Sequence, residues 1–171
     1  MKIPTITTSR LTLRPFVEAD AGPLHHILGD SDVLRYFPNP AAPSPEQVQR
    51  FIARQLAHWE EHGFGWWAVE LSTTPGLIGW NGLQFLPETG EIEVAYLLDK
   101  PYWGQGLATE GARASLHLGF ETLGLKNIVA IVHPENRASI RVIEKLEMSL
   151  VDRTHYFGME VLRYRKETGS P

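Results

Sequence analysis

Apolar and polar residues alternate along Arg10-Leu11-Thr12-Leu13-Arg14-Pro15-Phe16, the two-residue period of a strand with one buried face. Pro15 has no N–H to give a ladder, so pairing is expected to end there. Asp20 is placed to cap a short helix through Leu28, and the stretch 29–43, rich in Pro, Asp and Asn, reads as a loop. Ser44-Pro45-Glu46-Gln47 is a strong helix start, with an N-cap, proline at the first helical position and Gln at the capping-box position. Val48, Phe51, Ile52, Leu56 and Trp59 then recur at helical spacing, and Gly63 stops the helix.

Three strands follow in close succession, 66–71, 77–85 and 91–98, with Thr74-Pro75-Gly76 and Pro87-Glu88-Thr89-Gly90 as the turns between them. Connections this short join antiparallel neighbours, so a meander is expected. Residues 109–123 then read as a helix stopped by Gly124, 127–132 as a short β-branched strand and 136–146 as a helix. The segments 150–157 and 160–165 read as a final hairpin around Gly158. This order predicts a mixed α/β fold, a mostly antiparallel sheet flanked by helices.

At 171 residues the chain is expected to form a single domain over 1–171. A net charge of −4 argues against a general nucleic-acid partner, which calls for a basic surface. The absence of cysteine excludes disulfides, a thiol nucleophile and a cysteine zinc site, and it agrees with a reducing compartment. No His pair comes with ligand-spaced partners, so no metal site is expected. Met1-Lys2-Ile3-Pro4-Thr5 has no apolar signal core and no run reaches membrane-span length, so a cytoplasmic location without a membrane partner is expected.

The candidate chemistry lies at Trp103-Gly104-Gln105-Gly106-Leu107-Ala108-Thr109-Glu110, between the apolar run Val94-Ala95-Tyr96-Leu97-Leu98 and the helix over 109–123. A glycine turn there presents backbone N–H groups in one direction at a helix start, where they are unpaired and the dipole is positive. That combination binds phosphate, and side chains at 104 and 106 would hold the phosphate off the backbone. A Rossmann reading lacks the third glycine and the early strand–helix alternation, and a Walker reading lacks Gly-Lys-Ser or Gly-Lys-Thr.

A second motif, His133-Pro134-Glu135-Asn136-Arg137-Ala138-Ser139, opens another helix after another strand, and Glu93-Val94-Ala95-Tyr96 precedes the glycine turn. In this order and spacing the set resembles the GNAT acetyltransferase superfamily, and within it the RimJ/RimL-like, ribosomal-protein N-acetyltransferase type. The resemblance runs from Arg10-Leu11-Thr12-Leu13-Arg14 to Val161-Leu162-Arg163-Tyr164. It implies the GNAT fold and acetyl-CoA as co-substrate. The family's turn is Arg or Gln, two residues, Gly, one residue, then Gly or Ala. It maps onto Trp103 to Ala108, with Trp103 at the Arg/Gln position, as is usual in the subgroup. The resemblance implies that the backbone of Gly104, Gln105, Gly106, Leu107, Ala108 and Thr109 holds the pyrophosphate. It implies a bulge that opens the strand around Tyr96, Leu97 and Leu98 to pair with the pantetheine arm. It also assigns Asn136 and Ser139 to contacts with the pantetheine and the sulfur.

The implied reaction is direct attack of an amine on the thioester, which needs a base for the amine and an acid for the leaving thiolate. Glu93 aligns with the subgroup's Glu and is the candidate base. An α-amine has a pKa about 8 and a Lys amine about 10.4, which modestly favours an α-amine. Many superfamily members carry a Tyr seven residues after the motif Asn, but here that position is Ile143. Ser139 and Tyr156 are then the candidate acids, Ser139 preferred. Each residue also has a plainer reading: Glu93 as a solvent-facing or ion-paired strand residue, Asn136 and Ser139 as helix-start hydrogen bonders, Tyr156 as strand packing. Glu147 stands where the family usually has Gly, which predicts local strain or a changed helix end and no loss of activity. One of Trp66 and Trp67 is expected in the core, the other with Trp80 at an acceptor cleft. The reading is an N-acetyltransferase acting on a peptide or protein N-terminus or on a small amine, with a homodimer allowed. The alternative, prompted by Ile143, is a non-catalytic acyl-CoA-binding or sensing module.

Overall fold

A computed structural model describes residues 2–170, and the two ends of the expected domain, Met1 and Pro171, lie outside the described residues. Among these residues eight strands form one sheet. They are β1 (Ile6–Thr7), β2 (Leu11–Arg14), β3 (Trp66–Leu71), β4 (Thr74–Leu86), β5 (Glu91–Leu98), β6 (Asn127–Val132), β7 (Ser149–Tyr156) and β8 (Met159–Glu167). The helices are α1 (Ala21–Leu28), α2 (Ser31–Leu34), α3 (Pro45–His62), α4 (Leu107–His117) and α5 (Arg137–Lys145). The sheet order is β1-β2-β3-β4-β5-β6-β8-β7, with β5 and β6 parallel and the other neighbours antiparallel. The expected mixed fold, meander and terminal hairpin are all present.

Local chemistry explains the element ends. Ser44 Oγ accepts the Gln47 N–H at 3.2 Å and Gln47 Oε1 accepts the Ser44 N–H at 2.7 Å, the reciprocal box that starts α3. Gly63 closes that helix in the left-handed region, φ +77°. Other expectations are corrected. Asp20 does not cap α1: its carboxylate accepts the Val17 N–H at 2.8 Å and holds the Arg14 guanidinium through two bonds of 2.9 and 2.8 Å. The expected loop after Gly29 contains α2, started by Asp30 accepting the Asp32 N–H at 2.9 Å. The first meander turn lies at Ser72 and Thr73, so Thr74-Pro75-Gly76 belongs to β4, with shifts in its register to β3. The helix after the glycine turn begins at Leu107 and ends as a π-helical turn, Leu118–Thr122.

The core lies on both faces of the sheet. On one face Leu13, Trp67, Val69, Leu83 and Val94 pack with Leu107, Ala112, Leu116 and Ile143 from α4 and α5. On the other, Trp66, Ala68, Trp80 and Leu97 pack with Leu24, Ile27, Val48 and Ile52 from α1 and α3. Strand alternation separates the paired tryptophans: Trp67 is fully buried and donates to the Pro4 carbonyl at 2.8 Å, while Trp66 stacks on Trp80 with centroids 3.9 Å apart.

Glu147 has φ +60°, the left-handed conformation expected from the missing glycine. For an L-residue this costs about 1–2 kcal/mol. The exposed Lys166 contact at 3.4 Å offsets little of it. Glu147→Gly is therefore expected to raise stability by about 1 kcal/mol and Tm by about 2–4 °C, read by thermal unfolding. A lower Tm in the variant would refute the strain.

Candidate active site

β4 covers one edge of β5 through eight matched positions, and β8 covers the outer edge of β6 through six. Between β5 and β6, among the described residues, the ladder has one rung, Glu93 opposite Val129. Past that rung the pairing stops, and a cavity of about 800 Å³ opens between Val94 to Leu98 on one side and Ala130 to His133 on the other. The register of β5 with β4 is unbroken from Glu91 to Leu98. The opening thus comes from the end of the β5–β6 pairing, which corrects the expected bulge in β5.

The glycine turn closes the end of this opening. Gly104 and Gly106 have φ of +72° and +78°, a backbone path that L-residues rarely take, and α4 starts immediately after. Several contacts hold the turn in place. Arg10 donates to the Gln105 carbonyl at 2.8 Å and to Glu110 at 2.7 Å, and the Thr8 hydroxyl donates to Glu110 at 2.6 Å. The Trp103 indole N–H donates to the Leu98 carbonyl at 2.7 Å, which ties the turn to the end of β5. Trp103, Gly104, Gly106, Leu107, Ala108 and Thr109 all line the cavity, but Gln105 does not: its side chain bonds back to the Pro101 carbonyl at 3.1 Å. A second cavity of about 970 Å³, flanked by Arg10, Arg113 and Lys145, adjoins at Gly106 and Thr109.

Two polar groups reach the opening from opposite faces of β5, because residues three apart on a strand point oppositely. Glu93 is only 7% exposed and accepts the Gln84 amide at 2.5 Å. Burial pushes its carboxyl up to about 7, although Gln84 and the Ile131 N–H on β6 both favour the anion. On the α4–α5 face the Tyr96 hydroxyl lies 2.8 Å from Ser139 Oγ and 3.3 Å from the Ser139 carbonyl. Burial, opposed by Ser139 and reinforced by Glu93, raises the phenol well above its ordinary pKa, so it keeps its proton. Asn136 caps α5 by accepting the Ser139 N–H at 3.2 Å, and both residues line the cavity.

The structure therefore gathers Glu93, Tyr96, Leu97, Leu98, Trp103, Asn136, Ser139 and most of the glycine turn. It does not bring Tyr156 there: this residue packs with Leu86, Val129 and Val161, its hydroxyl 2.8 Å from the Thr89 hydroxyl. Sequence reasoning missed the Tyr96 side chain, Gln84, and the pair Tyr36 and His133, whose rings lie 5.2 Å apart at the cavity. Gln84 was within reach: a hairpin turned at Pro87-Glu88-Thr89-Gly90 sets it opposite Glu93. Nothing local in the sequence signals the Tyr36–His133 contact. No group of three His, Asp or Glu among the described residues could hold a metal, and no helix among them is long and apolar enough to cross a membrane.

Residues 10–149 match the family described as the Acetyltransferase (GNAT) domain. The uncharacterized N-acetyltransferase YoaA of Bacillus subtilis (strain 168) is 31% identical over 144 residues, 84% of this chain and 81% of that protein. An acetyltransferase from Agrobacterium tumefaciens str. C58 superposes with a TM-score of 0.87 at 31% identity, covering 98% of this chain and 96% of that one. RimL, a ribosomal L7/L12 alpha-N-protein acetyltransferase solved with coenzyme A, superposes with a TM-score of 0.79 at 17% identity, over 96% and 98% of the two chains.

The raised carboxyl of Glu93 has a consequence for stability. Its ordinary value of 4.5 rises to about 7 on folding, so between these values the folded chain binds the proton that the unfolded chain releases. Stability is then greatest below about 4.5 and falls as pH rises through about 7, by a few kcal/mol at most. Glu93→Gln removes this loss. Its Tm advantage over the parent chain is expected to grow between pH 5 and pH 8, and a gap independent of pH would refute the raised value.

Proposed function

The chain belongs to the GNAT acetyltransferase family, and we propose that it transfers acetyl from acetyl-CoA to a primary amine through the opening between β5 and β6. The observation that carries this reading is the arrangement about one strand: a carboxyl group on one face, a hydroxyl pair on the other, and an open backbone edge between them. The residues fit the co-substrate. Gly104 and Gly106 leave the α4 N-terminus bare for a pyrophosphate, the unpaired edge at Tyr96, Leu97 and Leu98 suits the amides of a pantetheine arm, and Asn136 and Ser139 stand beside that path. RimL, solved with coenzyme A, shares this fold.

Acetyl-CoA supplies a thioester carbonyl, which the amine attacks, so that a C–N bond forms and the C–S bond breaks. Glu93 takes the proton that the amine must lose. With a carboxyl near 7, the transfer from an α-ammonium of pKa about 8 is uphill by about 1.4 kcal/mol, against about 4.6 kcal/mol for a Lys ammonium of pKa about 10.4. This favours an α-amine, such as a peptide N-terminus, over a Lys side chain. Gln84 fixes the carboxylate, and the Ile131 N–H steadies its charge. The second proton that the amine nitrogen sheds as the amide forms balances the departing thiolate, to which the Ser139 hydroxyl donates a hydrogen bond, and the Tyr96 hydroxyl holds Ser139 in place without giving up its own proton. Tyr156 has no step in this scheme. We take 1–171 as a single domain, and every residue named in this scheme lies among its described residues. The reading as a sensing module rested on Ile143, and Tyr96 removes its motive by bringing a phenol to Ser139 from β5.

Thiol release from acetyl-CoA, followed with an amine acceptor, tests the scheme. Glu93→Gln is expected to lower kcat by about 10²–10⁴ while sparing the KM for acetyl-CoA. In the parent chain kcat/KM should rise with pH and level off above about 7, and the variant should lose this limb. Ser139→Ala and Tyr96→Phe should each cost about 10–100-fold in kcat, with the double variant no worse than the more damaged single one. Unchanged turnover in Glu93→Gln would remove the base from this mechanism.

A further inference from the structure

The acceptor side of the opening is aromatic. The sheet face that carries Glu93 also carries Trp66, Trp80, Gln84, Ala95 and Leu97. Trp66 and Trp80 are stacked, 3.9 Å apart at 7°. Phe37, from the segment after α2, meets the Trp80 edge at 6.2 Å, and Phe157 and Met159 line the same cavity from the β7–β8 hairpin. Trp66 lies opposite Gly82, and Gly82 opposite Ala95, so two small residues of this face form the floor beside the indoles. An added Cβ at Gly82 would meet the Gly65 carbonyl oxygen and the Trp66 backbone, which holds that floor to glycine.

The charges on the same wall are not those of a polycation site. The two carboxylates that line the cavity are Glu93 and Asp32, and Asp32 is engaged by the Lys100 ammonium at 2.5 Å. Arg35 lines it on this side, its guanidinium 5.5 Å from the centre of the Tyr36 ring, while the lining cations Arg141 and Lys145 belong to α5 on the other face of the sheet. A second ammonium entering beside the reacting amine would thus meet Arg35 and aromatic carbon, with Asp32 already paired to Lys100 and Glu93 engaged by the reacting amine, so that no lining carboxylate is left for it. Desolvating a charge without a partner is strongly unfavourable. An apolar ring or branched chain would instead lie in the cavity against Phe37, Phe157 and Met159, beside the Trp66–Trp80 stack, where its burial favours binding.

We propose that the acceptor is a primary monoamine with an aromatic or branched apolar group beside its amine, and that polyamines are poor acceptors. This rests on the acetyltransferase reading above and narrows it to a substrate class. The shared chemistry has two sources, a free amino acid derivative or a chain end that begins with such a residue.

The test measures thiol release from acetyl-CoA by the full chain with four acceptors: phenylalaninamide, glycinamide, a tetrapeptide beginning with Phe, and spermidine. The kcat/KM for phenylalaninamide is expected to exceed that for glycinamide by about tenfold or more, with spermidine last. Turnover of the Phe peptide at the rate of phenylalaninamide supports the proposal with a chain end as source; turnover of the amide alone supports it with a free derivative. Spermidine in first place, or equal rates for the two amides, overturns the acceptor class and leaves the transferase standing. Silence with every acceptor, with acetyl-CoA bound by calorimetry, overturns the transferase reading itself and the acceptor class with it. Phe37→Ala should raise the KM for phenylalaninamide about tenfold and leave the KM values for glycinamide and acetyl-CoA unchanged. A parallel loss in all three would make Phe37 merely structural and overturn its place in the acceptor wall.

Discussion

Two strands that run side by side, each fully paired on its outer edge, pair with one another at a single rung, Glu93 opposite Val129. Everything in the site depends on that interruption. Unmet N–H and C=O groups in an interior are costly, so an open edge persists only where the rest of the sheet holds it. Here β4 and β8 fix the two strands from outside, while α4 and α5 pack across them on one face. The parallel direction matters equally. It requires a crossover, α4, which must begin near the C-terminal end of β5. The glycine turn and the helix N-terminus therefore arrive at the mouth of the opening as a consequence of topology. Ligands of open sheets gather at such C-terminal strand ends for the same reason.

The opening also sorts the chemistry by face. Because strand side chains alternate, Glu93 and Tyr96 stand on opposite sides of β5 at the same aperture. Each is buried, and burial moves each in the direction of the neutral form: the carboxyl to about 7 and the phenol above its usual range. Water would collapse these differences, since it would solvate the carboxylate and return it to an ordinary acid. The stability lost at neutral pH by enclosing Glu93 and the readiness of Glu93 to exchange a proton near pH 7 are one physical fact seen from two sides.

Much of this was legible in the chain because it is local. The capping box at Ser44, the turn at Pro87-Glu88-Thr89-Gly90, the meander and the glycine turn before α4 are each written within a few residues. The misreadings share a different cause. Asp20 reads as a cap for the helix ahead of it, yet the folded turn directs its carboxylate back to the Val17 N–H and the Arg14 guanidinium. Thr74-Pro75-Gly76 looked like a turn, yet it is strand, because the register with β3 shifts to absorb it. The bulge expected in β5 was sought in the wrong ladder, since the opening is a property of two strands separated by a helix. Tyr36 meeting His133 is likewise a contact between distant segments, invisible to any window of sequence.

The departures at Ile143 and Glu147 look alike in a motif, but physically they differ. A reaction needs a proton at a place, and a place can be reached from more than one element. Ser139 and Ile143 are four residues apart and so share a face of α5, which puts the vacant position one turn from Ser139. Tyr96 reaches Ser139 from β5, and the proposed mechanism needs no acid at 143. A backbone angle has no such freedom. Glu147 must take φ +60° wherever its side chain points, and no neighbour can adopt that conformation on its behalf. Motif substitutions that displace a functional group can thus be offset across the fold, whereas those that displace a conformation are carried as strain at the residue itself.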